Sequence, residues 1–303
     1  MHVASPTRKT VAPETTSVLP LLALIVANAA LAFGPWFVRL SDTGPVASAF
    51  WRITLAAPVL LAAALATGWR PNRGAGGGLS RGLWLMIAVG GLCFAADLGS
   101  WHLGILRTTL ANATLFGNSA TLMFPIYGFL IARAWPTRLQ GVALALATVG
   151  AALLMGRSYQ LDPRNLTGDL LCLLAGILYT GYFIVMARAR ATMAPLPALA
   201  LSTMASVLPL LAFVLLLGEK LVPTDWTPLL GLALVSQIIG QGLMIYALGR
   251  LPPLTVGLGL LTQPVVAGTI GWVVYNERLG LPDLIGALCV AVALVLVSRR
   301  PRA

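Results

Sequence analysis

Apolar residues run through this 303-residue chain in ten long blocks, divided by short polar breaks. A bilayer core about 30 Å thick is crossed by roughly 20 apolar residues in helical form. The pattern predicts membrane-spanning helices over residues 18–38, 45–66, 82–106, 109–132, 139–156, 166–187, 195–217, 227–249, 253–275 and 280–298. Ten spans of this length cannot all hide inside so short a chain, so lipid must solvate their outer faces. The predicted fold class is all-α, a polytopic membrane protein with ten transmembrane helices.

The second five blocks read as a copy of the first five. At an offset of 145 residues Leu103-Gly104 falls on Leu248-Gly249, Arg133 on Arg278 and Gly141 on Gly286. The first helix of each half aligns at an offset of 146, which sets Trp36-Phe37 on Tyr182-Phe183. Five is odd, so the second copy must enter the membrane from the opposite side. That makes an inverted-topology repeat, a common plan of secondary transporters. The expected organisation is a disordered cytoplasmic tail over 1–17, a first repeat over 18–156, a linker over 157–166, a second repeat over 167–298 and a basic cytoplasmic tail over 299–303. Gly74 to Gly78 form a glycine-rich loop between the second and third spans. Small residues four apart (Ala143, Ala147 and Ala151) suit close helix packing.

Composition supports the membrane reading. Hydrophobic residues make up 58% of the chain and charged residues 10%, against about 45–50% and about 25% in a soluble domain. The net charge of +11 would suggest nucleic acid in a soluble protein. Here the arginines sit at span ends, and no basic helix with interleaved aromatics is present, so a nucleic-acid partner is not expected. Lys and Arg concentrate in cytoplasmic loops. With the N-terminus inside, thirteen of the twenty basic residues fall on the cytoplasmic side and six outside. Both termini are therefore expected in the cytoplasm. Cys93, Cys172 and Cys289 show no metal-ligand or redox spacing. Ala27-Asn28-Ala29 mimics a signal-peptide cleavage site, but the apolar run continues through Trp36 and Val38 as a full span.

Polar residues inside a membrane are costly, so their placement is informative. Gln237 and Gln241 lie one turn apart on span eight. Tyr179 and Tyr182 form an aromatic stripe on span six, and Trp101 lies one turn from Asp97 on span three. Asn28, Asn118 and Gln263 add amides on spans one, four and nine. Facing a central cavity, these eight residues would bind a small polar or zwitterionic solute; the alternative is that they bond helices together. Arg52 and Asp97 are the charges well inside spans, at a similar depth of ~10–13 Å from the outer ends. They are expected to pair, as a structural bridge or as a gate. Asp97 is also the sole carboxylate placed for proton handling. Pro35, Pro125, Pro209 and Pro264 are candidate hinges, because each removes a backbone donor from its helix.

Enzyme motifs are missing: there is no H-E-x-x-H, no phosphate-binding G-x-x-x-x-G-K loop and no G-x-S-x-G. No cofactor and no metal is expected. The partners expected are a small-molecule substrate and the lipid bilayer, with the chain acting as a monomer.

Arg52 with Leu55-Ala56-Ala57, the Leu103–Asn112 turn, its partner Tyr246–Val256, and Asn276-Glu277-Arg278 followed by Gly286 resemble the drug/metabolite transporter superfamily, EamA-type. The likeness covers nearly the whole chain. Ala132-Arg133-Ala134 departs from it, standing where the family often has an acid. Within the superfamily the chain resembles the YddG-type exporters of aromatic and other amino acids. The resemblance implies a basket-like bundle whose halves rock about a cavity lined by spans one, three, four, six, eight and nine. It further implies a bacterial inner-membrane exporter of amino acids or similar metabolites. Efflux of lipophilic cations, and a scaffold or sensor without transport, are the alternatives.

Overall fold

The computed structural model describes residues 18–69, 80–108, 110–133, 135–159, 166–275 and 280–298. The predicted tails over 1–17 and 299–303, the glycine-rich loop, most of the 157–166 linker and the Asn276-Glu277-Arg278 turn lie outside these residues.

Every apolar block is helical. Span one is α1 (Leu19–Ala32) followed by α2 (Gly34–Leu40); spans two and three are α3 (Pro45–Ala66) and α4 (Arg81–Ile105). Span four is α5 (Leu110–Gly117) with α6 (Ala120–Ala132), and span five is α7 (Arg138–Tyr159). In the second half come α8 (Leu166–Ala189) and α9 (Pro195–Leu217). Span eight joins α10 (Thr227–Gly231), a π-helical stretch over Leu232–Gln241 and α11 (Gly242–Leu248). Span nine is α12 (Pro253–Leu260) with α13 (Thr262–Tyr275), and span ten is α14 (Leu281–Ser298). Among the described residues, seven spans are by themselves long and apolar enough to cross a membrane. Leu130, Leu208 and Leu216 stand 71%, 74% and 85% exposed on the outside of the bundle, a surface that only lipid solvates cheaply.

The breaks have local causes. Between α1 and α2 the chain meets Gly34-Pro35, and proline cannot donate to the carbonyl four residues back. The amide of Phe33 bonds Ala30 instead, as a tight turn. Span four breaks at Asn118-Ser119 and span nine at Leu261, matching places in the two halves. Of the four candidate hinge prolines, Pro35 and Pro264 stand in the first turn beyond a break, whereas Pro125 and Pro209 lie within continuous helices.

Helix packing obeys an exchange of the two halves. Span two packs on seven, four on nine and five on ten, each on its own counterpart. Other close pairs come in exchanged couples: three with six and one with eight, three with seven and two with eight, four with six and one with nine. This is the pattern of a two-fold axis lying in the membrane plane, as an inverted five-plus-five repeat requires. The contacts are close. A Cβ on Gly257 of α12 would lie 2.7 Å from the Pro125 ring and from the Thr121 carbonyl of α6, so only glycine lets spans four and nine cross here. Ala143 and Ala147 of α7 are fully buried beside Ala293 of α14.

Spans one to ten alternate in direction, which puts the start of α1 and the end of α14 on one face of the bundle. On the opposite face a strap joins the loop before α3 to the loop after α9. Lys220 pairs with Asp42 at 2.6 Å, and the Thr224 amide donates to the same carboxylate at 2.9 Å. The Glu219 carboxylate accepts from the Ala47 amide at 2.8 Å, satisfying a free donor of the first turn of α3. Trp51 bonds the Leu221 carbonyl and meets Trp226 edge to face. The hydrogen bond from Lys220 holds the Asp42 carboxyl well below the usual range, while burial pushes Glu219 up. A depressed carboxyl contributes its stability above the ordinary value of about 3.9 and loses it only as pH falls through the lower folded value. A raised carboxyl takes up its proton more readily folded than unfolded, so acidification does not weaken its share. The Thr224 amide is therefore expected to keep its protection from hydrogen exchange between pH 7 and 5, and to lose it in Asp42→Ala, which removes the acceptor, at either pH.

Candidate substrate-binding site

The polar residues of eight spans meet between the two halves. Gln263 at the break of span nine donates to Asn28 Oδ1 of span one at 2.8 Å, and accepts from Asn118 Nδ2 of span four at 3.3 Å. Asn28 itself donates to the Leu24 carbonyl one turn back at 2.7 Å. These three amides tie the broken helices together where their backbone ladders are interrupted. Breaks at membrane depth are tolerated where polar neighbours re-satisfy the freed groups.

On the other side, Arg52 of α3 donates through Nε to Gln237 Oε1 at 3.1 Å, and Gln237 Nε2 donates to Thr203 Oγ1 of α9 at 3.1 Å. Arginine can only donate, so the Gln237 oxygen must face it and the amide nitrogen must face the hydroxyl. Gln241 accepts from the Tyr179 hydroxyl at 3.1 Å. Gln237 and Gln241 both belong to the π-helical stretch. Such wide turns are rare and frequent at functional sites.

Between these groups lies a cavity of about 40 Å3, lined by Arg52, Asp97, Trp101, Asn118, Tyr179, Gln241 and Gln263 with Leu31, Phe94, Leu98, Thr114 and Gly117. A cavity of about 150 Å3 holds benzene, so this conformation admits waters and must widen to take a solute. Both approaches to it are packed. Toward the face that carries the chain ends, Phe94, Tyr179, Tyr182, Phe183, Phe124 and Tyr127 stack ring on ring, with Phe94 and Tyr182 centroids 4.4 Å apart. Toward the opposite face, Val38, Ile105, Ala113 and Leu232 pack with Phe37 and Phe116, and Trp101 anchors its indole N–H on the Ala113 carbonyl at 3.0 Å.

At each mouth an arginine grips a tyrosine. On the strap side Arg39, at the end of α2, lies with its guanidinium 5.3 Å from the Tyr275 ring centroid and donates to the Thr108 carbonyl at 3.1 Å. Thr108 in turn donates to Asp169 at 2.6 Å. On the other side Arg188, at the end of α8, lies 5.9 Å from the Tyr127 ring centroid and donates through Nε to its hydroxyl at 3.2 Å. Span one corresponds to span six and span nine to span four, so the two clasps are images of each other under the exchange of halves.

Of the residues singled out in the sequence, Trp101, Asn118, Tyr179, Gln241 and Gln263 line the cavity together with Arg52 and Asp97. Asn28 and Gln237 stand behind it as hydrogen-bond partners of lining residues. Tyr182 is not among the lining residues; its hydroxyl bonds Ser202 at 3.4 Å. The expected ion pair does not form: among the described residues no salt bridge of 4.0 Å or less joins Arg52 to Asp97. The guanidinium instead gives its Nε to Gln237 of a different helix. His102 is structural, fully buried with Nδ1 between Ser48 Oγ and the Pro45 carbonyl. Sequence reasoning missed Thr203, the π-helical stretch and both clasps. The clasps do leave a signal: an arginine ends the first helix of each half and a tyrosine lies toward the end of each fourth helix, near the repeat spacing. Among the described residues, no group of three or more His, Cys, Asp or Glu gathers in a way that could hold a metal ion.

A doubled helical bundle exposed to lipid, with buried polar groups converging on a central cavity, defines a polytopic membrane transporter rather than an enzyme. The profile of the EamA-like transporter family matches residues 18–156 and again 166–299. The chain belongs to that family, within the drug/metabolite transporter superfamily. An uncharacterized transporter of Archaeoglobus fulgidus is 23% identical over 257 residues, 83% of this chain and 86% of its own length. A solved crystal structure 16% identical superposes with a TM-score of 0.72, covering 95% of this chain and 98% of that one; at this identity the likeness speaks for the fold alone.

Proposed function

We propose that this transporter exports amino acids or similar zwitterionic metabolites across a bacterial inner membrane, with both termini in the cytoplasm, by alternating access through the central cavity. One observation carries the reading. Arg52 and Asp97 line the same small cavity without an ion pair between them, beside the amides of Gln241, Asn118 and Gln263 and the rings of Trp101 and Tyr179. Charges inside a membrane protein mark substrate or ion pathways, and a cavity with one charge of each sign is neutral overall. The basic balance of the loops supports the orientation, because Arg81, Arg133, Arg138, Arg188, Arg190 and Arg250 stand at span ends on the face where α1 begins and α14 ends, against Arg39 and Arg107 on the strap face. The mirrored clasps support alternating access: each of two opposite mouths has its own closing contact, and rocking the halves would release one while keeping the other.

Purified protein in liposomes should therefore exchange labelled phenylalanine or leucine at least tenfold faster than empty liposomes. Lack of flux for aromatic and aliphatic amino acids alike would remove the reading. Efflux of lipophilic cations is the second reading, favoured by the aromatic lining of Phe94, Trp101 and Tyr179 beside Asp97. Against it stands Arg52, a buried positive charge in the same cavity wall that a cation would have to approach. Under the amino-acid reading an added lipophilic cation leaves phenylalanine exchange unchanged; under the cation reading it is itself exported in an Asp97-dependent way.

A further inference from the structure

We infer that Arg52 is the anchor for a substrate carboxylate and Asp97 the counter-charge for its ammonium group, so that the site takes α-amino acids with both charges free. The inference deepens the proposed function and rests on it.

Three polar groups of the cavity wall lack partners. Arg52 is 2% exposed, and its Nη1 has no hydrogen-bond partner. Gln241 is fully buried, and its Nε2 has none either, while its oxygen accepts from Tyr179. Asp97 is 6% exposed, lines the cavity, and among the described residues makes no salt bridge of 4.0 Å or less. Buried polar groups are nearly always satisfied, and each exception calls for an explanation. Two orphaned donors and one carboxylate without an ion pair, on one cavity wall, share an explanation: they wait for a ligand.

Their chemistry says which ligand. Arg52 is already fixed along its Nε edge by Gln237, itself fixed by Thr203. The planar guanidinium is thereby oriented, and its open edge offers donors in the fork geometry that fits a carboxylate. The free Gln241 amide N–H adds a further donor for the same oxygens. Asp97 is acceptor-only when ionised and suits an ammonium group. A substrate with an amine alone would leave Arg52 uncompensated, and one with a carboxylate alone would leave Asp97 so. Either result strands a buried charge. An α-amino acid satisfies both at once, and its side chain meets Leu31, Phe94, Leu98 and Trp101. Gln237 is a positioning residue: it acts on substrate only through Arg52.

The test uses matched competitors against labelled phenylalanine exchange in liposomes carrying the wild-type chain. Phenylalanine is expected to compete at least tenfold better than phenethylamine, which lacks the carboxylate, and at least tenfold better than 3-phenylpropionate, which lacks the amine. In Arg52→Lys the advantage over phenethylamine should shrink, and in Asp97→Asn the advantage over 3-phenylpropionate should shrink, with thermal melting in detergent confirming that each variant is folded. Equal competition by phenethylamine would overturn the assignment of Arg52 and leave amino-acid transport standing. Equal competition by 3-phenylpropionate would do the same for Asp97. Absence of any phenylalanine or leucine exchange would overturn the transport reading, and this inference with it. The wild-type comparison needs no variant to fold.

Discussion

Gln237→Leu is expected to abolish transport and to lower the stability of the folded chain. Among the described residues Gln237 gives Arg52 its one side-chain hydrogen bond, at 3.1 Å, inside a fully buried setting. Removing it leaves the guanidinium with two unmet donors and strands the Thr203 hydroxyl. A hydrogen bond to a charged group contributes about 1.5–3 kcal/mol, and leaving the charge unpaired adds its own desolvation penalty. Thermal melting in detergent should show the loss directly. Gln237→Glu separates the two roles of the residue. A carboxylate can still accept from Arg52, and the Thr203 hydroxyl can turn to donate to it, so melting should return close to wild type. Exchange of phenylalanine should remain low, because a second carboxylate neutralises Arg52 and leaves Asp97 as net negative charge. A membrane scaffold or sensor would show the melting pattern of these variants without the transport pattern. Wild-type exchange in Gln237→Leu would contradict the cavity as described.

The spans were legible because lipid imposes a strong rule: every backbone group must be satisfied within the helix, so a helix must be long and apolar. Hence the start of α3 at Pro45 and the whole of α9 at 195–217 agree with the reading of the chain to the residue. The rule is silent on how a span is interrupted. The π-helical stretch at Leu232–Gln241 has ordinary apolar composition, with no local residue that marks the wider turn, and it packs against α1 and α3. The candidate site was legible as a set and not as a network. Cost identifies which residues face polar company, and Trp101, Gln241 and Gln263 do so. Cost does not say which partner each finds. Arg52 and Asp97 share a depth, which made an ion pair the natural expectation; depth gives no angle around the helix, and Arg52 gives its Nε to Gln237 on a third helix. Tyr182 shows the same limit. It lies one turn from Tyr179, yet its hydroxyl is turned to Ser202 while Tyr179 reaches the cavity.

Breaking one clasp should push the transporter toward the state open at that mouth, and breaking the other should push it the opposite way. The Arg39 clasp combines a cation–π contact with a hydrogen bond to the Thr108 carbonyl, and the Arg188 clasp combines a cation–π contact with a hydrogen bond to the Tyr127 hydroxyl. A cation–π contact contributes about 0.5–2 kcal/mol depending on desolvation, and the hydrogen bond from a charged donor adds to it. A total of about 1.4 kcal/mol or more shifts a two-state population tenfold. Thr114 lines the cavity and is 1% exposed, so a cysteine there, with Cys93, Cys172 and Cys289 replaced, reports which mouth is open. With Arg39→Ala, a membrane-impermeant thiol reagent added from the strap side should label Thr114→Cys about tenfold faster than in the intact background. With Arg188→Ala the same increase should occur from the opposite side, and labelling from the strap side should fall. Combining the two changes should return the ratio toward its starting value, because the clasps are symmetric images and their removal tilts the equilibrium in opposite directions. Both single changes should slow net flux, since a carrier held mostly in one state completes its cycle less often. Faster labelling from both sides in either single variant would mean a leak through the bundle, and would set aside the clasps as alternating closures.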